Sequence, residues 1–308
     1  MMLSRSALVC SLILLCSTTF SQSIRLCPIP GSDVSFEMVL VPGGTFSVGT
    51  GENSKQVKVD SFWMGRYEVS YEEFALFYHR ELDSDTTLHP LGNYRVDAVT
   101  RPTPQYMDYT FGMGRNGHPA VSMTQQAALR YCEWLYRKTG VFFRLPTEAE
   151  WEYACKLGRT DSLAEGRLQD HAWYSDNSGN KYHQTGARQP NLLGLYDLLG
   201  NVAEWTLDDY RDDYTKALAG APADNPWLVP TRKHSRTVKG GSYLSAAQDC
   251  TCSARQRSNP RWQARDPQIP KSRWWNTDSP FVGFRLVSQV VQPSEQEVKA
   301  FFEKAIVD

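Results

Sequence analysis

The sequence has 308 residues with 33 basic and 34 acidic side chains, and 41% of the residues are hydrophobic. These proportions are typical of a globular protein. A formal net charge of -1 without a basic block excludes a protein whose affinity comes from neutralising nucleic-acid phosphates. The 9 Trp, 15 Tyr and 13 Phe residues provide a ring-rich core and exclude intrinsic disorder.

The first 21 residues have the pattern of a secretory signal peptide. Arg5 supplies a positive charge, residues 7–15 form an apolar run, and small residues precede the expected cleavage point. The run is too short for a mature membrane span, so we expect a secreted, periplasmic or envelope protein that is not transmembrane after cleavage. A lipid anchor at Cys16 is an alternative, although Leu15 is larger than the residue that normally precedes an acylated cysteine.

Export would place the remaining cysteines in an oxidising compartment, where disulfides persist. Two of the seven cysteines lie in the predicted signal peptide, which leaves an odd number. From the residues alone, two alternatives are open: structural bridges with a buried spare thiol, or a reactive or metal-binding thiol. The remaining cysteines are Cys27, Cys132, Cys155, Cys250 and Cys252.

The rest of the chain shows no repeat and no long linker, so we expect one large domain. Residues 38–69 alternate short apolar runs with Pro and Gly turns, which indicates strands and hairpins. Ser70 and Glu73 form a capping box at the start of a helix, and residues 83–119 have no clear period and are expected to be a loop. The apolar face of this helix would consist of Phe74, Phe77, Tyr78 and Leu82.

Two more helices are predicted in the middle of the chain and one at its end. The first covers residues 124–138, and the second begins at the capping box of Thr147 and Glu150. Residues 158–287 combine short strands with long loops that need ions, bridges or Trp packing to stay ordered. Residues 288–308 contain an amphipathic helix that starts with a further capping box.

One loop, residues 197–204, carries two carboxylates around Gly200. Asp197 and Glu204 are hard oxygen donors that suit calcium, with backbone carbonyls completing the shell. Equally, both side chains could simply accept backbone hydrogen bonds and cap a turn. The residues alone leave both alternatives open.

Five motifs follow one another between residues 38 and 287. They read MVLVPGGTF from Met38, RLPTEAEWEYA from Arg144, GLYDLLGNVAEW from Gly194, KGGSY from Lys239 and GFR from Gly283. This succession resembles the formylglycine-generating enzyme (sulfatase-modifying factor) family. The resemblance implies an α+β domain with an irregular formylglycine-generating-enzyme fold, distantly C-type-lectin-like and low in regular secondary structure. Activity does not follow, because oxidases, sulfur-transfer enzymes, binding modules and secretion-machinery lipoproteins share this fold.

The resemblance also implies a calcium site. Its ligands map onto the side chains of Asp197 and Glu204 and the carbonyl groups of Gly200 and Val202. A second calcium site, known in some members, has only Asn177 as a weak candidate here.

Copper is implied only for the oxidases of this family, which hold it between two thiols that follow the Gly-Gly-Ser-Tyr motif and convert a substrate cysteine to formylglycine with dioxygen. Counted from Tyr243, the first thiol position falls on Ser245 and the second on Cys250. Serine cannot replace a thiolate in a soft copper site. We therefore expect the mature protein to form no formylglycine.

Family resemblance implies a disulfide between Cys155 and Cys252. The position expected to pair with Cys132 is Leu286, so Cys132 is left over. Cys250 then stands alone or pairs with Cys27 or Cys132. Aligning this loop from Tyr243 and aligning it from Cys252 give positions that differ by three residues. This difference implies a deletion in the loop that holds the metal in the oxidases.

A basic and aromatic stretch near the C-terminus could form a ring-lined surface for a sugar or peptide. Alternatively, its Arg stems pack on core rings, with the acidic residues Asp209, Asp212 and Asp213 as counter-charge. An iron site of the sulfur-transfer type is not indicated, because the six histidines lack close spacing. The stretch comprises Arg255, Arg257, Arg261, Trp262, Arg265, Lys271, Arg273, Trp274 and Trp275.

Together these features favour an exported non-oxidase: a binding or scaffold component of a bacterial cell-envelope assembly with a protein or peptide partner. The alternative is a copper oxidase that acts on exported proteins through Cys250 with an unusual second ligand.

Overall fold

The structure, a computed structural model, describes residues 23–49, 54–78, 108, 110–158, 160, 167–219, 223–263 and 277–307. The predicted signal peptide, Cys16 and most of the predicted loop over residues 83–119 lie outside these ranges. The described residues combine short strands, short helices and long irregular connections, which confirms the predicted α+β class with modest regular structure. None of the described helices is both long enough and apolar enough to cross a bilayer.

An antiparallel sheet joins the two ends of the domain. Its strand order is β1-β2-β5-β10, so a C-terminal strand completes a sheet that is otherwise N-terminal. The apolar side chains of β2 and β5 meet in register, with Val39 opposite Met64, and both are buried. The strands are β1 (Ile24–Pro28), β2 (Ser35–Val41), β5 (Phe62–Gly65) and β10 (Val287–Gln289), and a separate hairpin holds β3 (Gly44–Val48) and β4 (Lys55–Val59).

The three predicted internal helices are present with the predicted start signals. They are α1 (Tyr71–Tyr78), α2 (Gln125–Thr139) and α3 (Glu148–Leu157). The Ser70 N–H donates to Glu73 Oε1 at 3.0 Å, and a reciprocal capping box of Thr147 and Glu150 opens α3. Gly140 ends α2 in the left-handed region at φ 70°, where glycine is favoured. The side chains of Tyr78 and Leu82 lie outside the described residues.

A second sheet lies behind α3. Its order is β8-β7-β6-β9, and β6 is buried along its whole length. Its strands are β6 (Ala203–Asp209), β7 (Arg236–Lys239), β8 (Arg255–Arg257) and β9 (Val282–Gly283). The remaining helices are α4 (Leu168–His171), α5 (Tyr214–Leu218) and α6 (Glu295–Ala305), the last with the predicted capping box of Ser294 and Glu297.

Two large apolar clusters and one small cluster around Tyr182 and Tyr243 form the core of the described residues. One surrounds α2 and is rich in rings, among them Phe74, Tyr131 and Phe284. The other packs the first sheet against α3 and includes Trp151 and the Cys155–Cys252 pair. The loop over residues 197–204 enters β6 between these clusters, so its polar groups are held inside the protein.

Candidate functional site

The loop that precedes β6 is fixed by close backbone contacts. Gly200 has φ 74°, and its N–H donates to the Gly240 carbonyl at 2.9 Å. A Cβ atom at Gly200 would lie 2.2 Å from the Trp173 carbonyl oxygen, so only glycine fits. The next residue, Asn201, donates its N–H to that same Trp173 oxygen at 2.8 Å. The loop geometry is therefore set by two distant segments.

Glu204 is engaged by an arginine and a tryptophan. Its Oε1 accepts from Arg285 Nη2 at 2.6 Å, and its Oε2 accepts from Trp151 Nε1 at 2.7 Å. Arg285 is fully buried and also donates to the carbonyl groups of Gly65 and Tyr196. Burial alone would lower the pKa of Arg285, but the Glu204 carboxylate raises it above its ordinary value. Glu204 therefore forms a buried, neutralised ion pair.

Asp197 is buried and has one oxygen without a partner. Its Oδ2 accepts from the Gly186 N–H at 2.6 Å, whereas Oδ1 has no hydrogen bond. Burial raises the pKa of Asp197 to about 6. A buried carboxylate oxygen without a donor is costly, so Asp197 Oδ1 is suited to accept a ligand or cation.

The structure adds Glu68, which the sequence analysis missed. Its two oxygens accept from Asn201 Nδ2 at 2.7 Å and from the Val202 N–H at 3.1 Å. Burial, and then the charges of Asp197 and Glu204, raise the pKa of Glu68 well above its ordinary value. Its partners lie 133 and 134 residues away along the chain, and the only local signal is an acid between the ring of Tyr67 and the apolar Val69.

These three carboxyl groups fit the implied calcium ion only in part. Asp197 offers a free oxygen, but both oxygens of Glu204 are already taken, and no three His, Cys, Asp or Glu side chains converge on one point within the described ranges. The weaker candidate Asn177 uses its amide within its own loop, accepting from the Tyr174 N–H and donating to the Ala172 carbonyl, each at 2.9 Å. A calcium ion here would be held by Asp197 and loop carbonyl groups.

The second part of the candidate site is the segment after the Gly-Gly-Ser-Tyr motif. Cys250 is 2% exposed, and burial raises the pKa of its thiol to about 12, so it is protonated at neutral pH. Ser245 Oγ accepts the Ser242 N–H at 2.9 Å. A polar groove of about 560 Å³ borders this segment, and the residues that line it include Ser245, Asp249 and Arg255.

The structure contains the predicted disulfide, which removes Cys252 from the free thiols near Cys250. Cys155 and Cys252 are bonded, with a Cα–Cα distance of 5.5 Å. Cys27, Cys132 and Cys250 are buried free thiols, so neither alternative pairing of Cys250 is found. A soft two-thiolate copper site does not fit these residues, because Cys252 is bonded and the other position is a serine.

The basic and aromatic stretch is partly structural. The Arg255 guanidinium pairs with the Glu148 carboxylate and lies over the Tyr210 and Tyr214 rings at 4.7 and 4.8 Å. Trp262 is 8% exposed and packs in the core. Arg255 therefore pairs with Glu148, and the expected Asp209 pairs with Arg211. Of the expected acids, Asp213 is influenced by Arg255: hydrogen bonds from the Lys216 N–H and Thr215, and also the charge of Arg255, lower the pKa of Asp213. Residues Arg265, Lys271, Arg273, Trp274 and Trp275 lie outside the described ranges.

Comparison with known sequences identifies relatives of this chain. A family model described as the sulfatase-modifying factor enzyme 1-like domain matches residues 32–290. The chain is 30% identical over 318 aligned residues to the formylglycine-generating enzyme of Mycobacterium tuberculosis, covering 83% of this chain and 98% of that protein. It is also 30% identical to the serine/threonine-protein kinase pkn1 of Chlamydia pneumoniae, with 73% of this chain covered but only 36% of that protein.

Solved structures show the same fold. Treponema denticola variable protein 1 superposes with a TM-score of 0.62 at 23% identity, covering 86% of this chain and 99% of that one. PvdO from Pseudomonas aeruginosa gives a TM-score of 0.58 at 23% identity, covering 82% and 94%. At these identities the likeness concerns the fold alone, and it confirms the predicted architecture.

Proposed function

The chain belongs to the family of sulfatase-modifying factor enzyme 1-like domains, and we propose that it is a non-oxidase member: an exported binding or scaffold component of a cell-envelope assembly. The observation that carries this proposal concerns the segment after Tyr243 that contains Ser245 and Cys250, which we call the thiol loop. The first of the two positions that the oxidases fill with thiols holds Ser245, and the second holds a buried, protonated Cys250.

This arrangement lacks the two thiolate ligands that a copper-dependent oxidation of this type requires. A hydroxyl oxygen is a hard ligand and does not bind copper(I) as a thiolate does. Among the described residues no positive charge stabilises the Cys250 thiolate: after burial, the largest influence on the pKa of Cys250 is the Asp249 charge, which raises it further. We therefore derive no reaction step through copper.

Two features support export and a polypeptide partner. A buried disulfide is typical of oxidising compartments and agrees with the signal peptide predicted over residues 1–21. The polar groove beside Ser245 borders β8, an edge strand of its sheet within the described residues. An edge strand offers free backbone donors and acceptors to an extended peptide, so we assign the partner to the protein or peptide class.

An activity assay tests the proposal against the oxidase alternative. Purified mature protein is supplied with copper, dioxygen and a Cys-x-Pro-x-Arg peptide, and the peptide is analysed by mass spectrometry. We expect no conversion of the thiol to the aldehyde. Conversion that disappears in Cys250→Ser would refute the non-oxidase proposal and establish the copper oxidase.

We further propose that calcium binds at residues 197–204. The supporting observation is the buried, unpartnered Asp197 Oδ1, which lies near the Glu68 and Glu204 carboxyl groups. Calcium would supply the cationic partner that this oxygen lacks. Such an ion would order the loop and would not itself take part in chemistry.

A further inference from the structure

A second cavity lies away from the thiol loop. It has a volume of about 250 Å³ and is bounded by β1, β2 and the first turn of α1. Its wall combines the carboxyl groups of Glu37, Glu68 and Glu73 with apolar side chains such as Phe36 and Leu286. None of the described residues that line it is Lys, Arg or His.

The three carboxyl groups differ in their hydrogen-bond and ion-pair partners. Glu37 pairs with Arg66 at 2.5 Å, and both oxygens of Glu68 accept hydrogen bonds as described above. Glu73 is 6% exposed, and Ser70 is the only hydrogen-bond partner of its carboxylate among the described residues, with the Ser70 N–H bonded to Oε1. Glu73 lines the cavity, and among the described residues no group other than Ser70 donates to its carboxylate.

The size and polarity of the cavity select the ligand class. A volume of about 250 Å³ equals roughly eight water molecules, which is far more than a bare metal ion fills. The apolar part of the wall suits a short hydrocarbon body, and a buried carboxylate needs a charged donor to offset its desolvation. Burial also raises the pKa of Glu73 to about 7, as expected for a carboxyl group without a cationic partner.

We propose that this cavity binds a small organic ammonium ion, whose N–H groups donate to the Glu73 carboxylate and whose hydrocarbon body packs against Phe36 and Leu286. Glu68 lies on the same wall. This site is separate from the groove at Ser245 and does not depend on the proposed function.

Isothermal titration calorimetry with n-butylammonium and phenethylammonium tests the proposal, with 1-butanol as the uncharged analogue of the first. The key variant is Glu73→Gln, because Gln can keep the capping box with Ser70 while the charge is removed. Glu72→Gln is the matched control: Glu72 is on the same helix but does not line the cavity, and its Oε1 accepts the Gly117 N–H.

At least one of the two ammonium ions should bind the wild type and Glu72→Gln equally. Loss of a charged hydrogen bond should weaken binding to Glu73→Gln by about 10- to 100-fold. 1-Butanol should not bind measurably. The proposal is overturned if neither ammonium ion binds the wild type, if Glu73→Gln binds as tightly as the wild type, or if 1-butanol binds as well as n-butylammonium.

Discussion

The buried carboxyl groups of this protein differ in whether an arginine neutralises them. Glu204 pairs with Arg285, and Glu150 pairs with Arg144 at 2.6 Å. Glu73 has no cationic partner within the described ranges, and burial raises its pKa above the ordinary value. The paired groups hold elements together as ions, whereas the unpaired group takes up a proton near neutral pH.

Arg285→Met should be strongly destabilising, because it leaves Glu204 as a buried charge without its partner. Breaking such a pair typically costs about 3–5 kcal/mol of the free energy of unfolding. Lys58→Met, which removes one partner of the exposed Lys58–Asp224 pair at 3.2 Å, should cost about 1 kcal/mol or less. Urea unfolding monitored by fluorescence measures both, and equal midpoints for the two variants would contradict the assigned role of Arg285.

Glu73→Gln should change how stability depends on pH. The wild-type pKa is about 7 in the folded state against an ordinary 4.5, so the folded state keeps its proton after the unfolded state has lost it. This group therefore lowers wild-type stability as pH rises from about 4.5 to 7, by up to about 1.4 kcal/mol per pH unit. The variant should gain stability relative to the wild type across that window. Parallel stability curves for the two proteins between pH 5 and 8 would show that Glu73 is not shifted.

At the scale of elements, sequence analysis works where the determining contact is local. The capping boxes of Ser70, Thr147 and Ser294 join residues three apart, so they are visible in the sequence and are present in the structure. Glu68 was missed because its partners, Asn201 and Val202, come from a segment more than a hundred residues away. Nor could the sequence show that Arg285 donates hydrogen bonds to the Glu204 carboxylate.

The disulfide between α3 and the C-terminal loops should contribute substantially to stability. It spans a sequence separation of 97 residues, for which the chain-entropy model gives about 4–5 kcal/mol before native strain is subtracted. The double variant Cys155→Ala/Cys252→Ala should lose stability of this order in denaturant. Non-reducing peptide mapping should recover the linked pair, and finding both thiols open to alkylation would disprove the bridge.

Calcium should stabilise the loop that enters β6. At a calcium concentration about 100 times the Kd, the gain is about 2.7 kcal/mol by mass action. Chelation should lower the Tm of the wild type, and Asp197→Asn should show a smaller response because it loses the charge beside the free oxygen. Asp176→Asn, an exposed substitution in a neighbouring loop, should respond as the wild type does. An unchanged wild-type Tm on chelation would rule the site out.

At the scale of the whole molecule, the family fold is retained while the thiol loop differs. β10 closes the N-terminal sheet, the Cys155–Cys252 bridge joins α3 to the C-terminal loops, and Arg285 links β6 to both ends of the domain. None of these ties involves Ser245 or Cys250. The fold therefore does not depend on the two thiol positions of the oxidases, as the proposed binding role requires.

Titration with copper(I) tests the absence of a two-thiol site most directly. Competition with a chromophoric chelator, with ascorbate as reductant to preserve the disulfide, compares the wild type with Cys250→Ser. A second pair compares Ser245→Cys with Ser253→Cys, which also places a thiol on the groove. We predict that the wild type binds copper(I) no more tightly than Cys250→Ser and that Ser245→Cys alone gains tight binding. Tight binding by the wild type that is lost in Cys250→Ser would contradict the non-oxidase account.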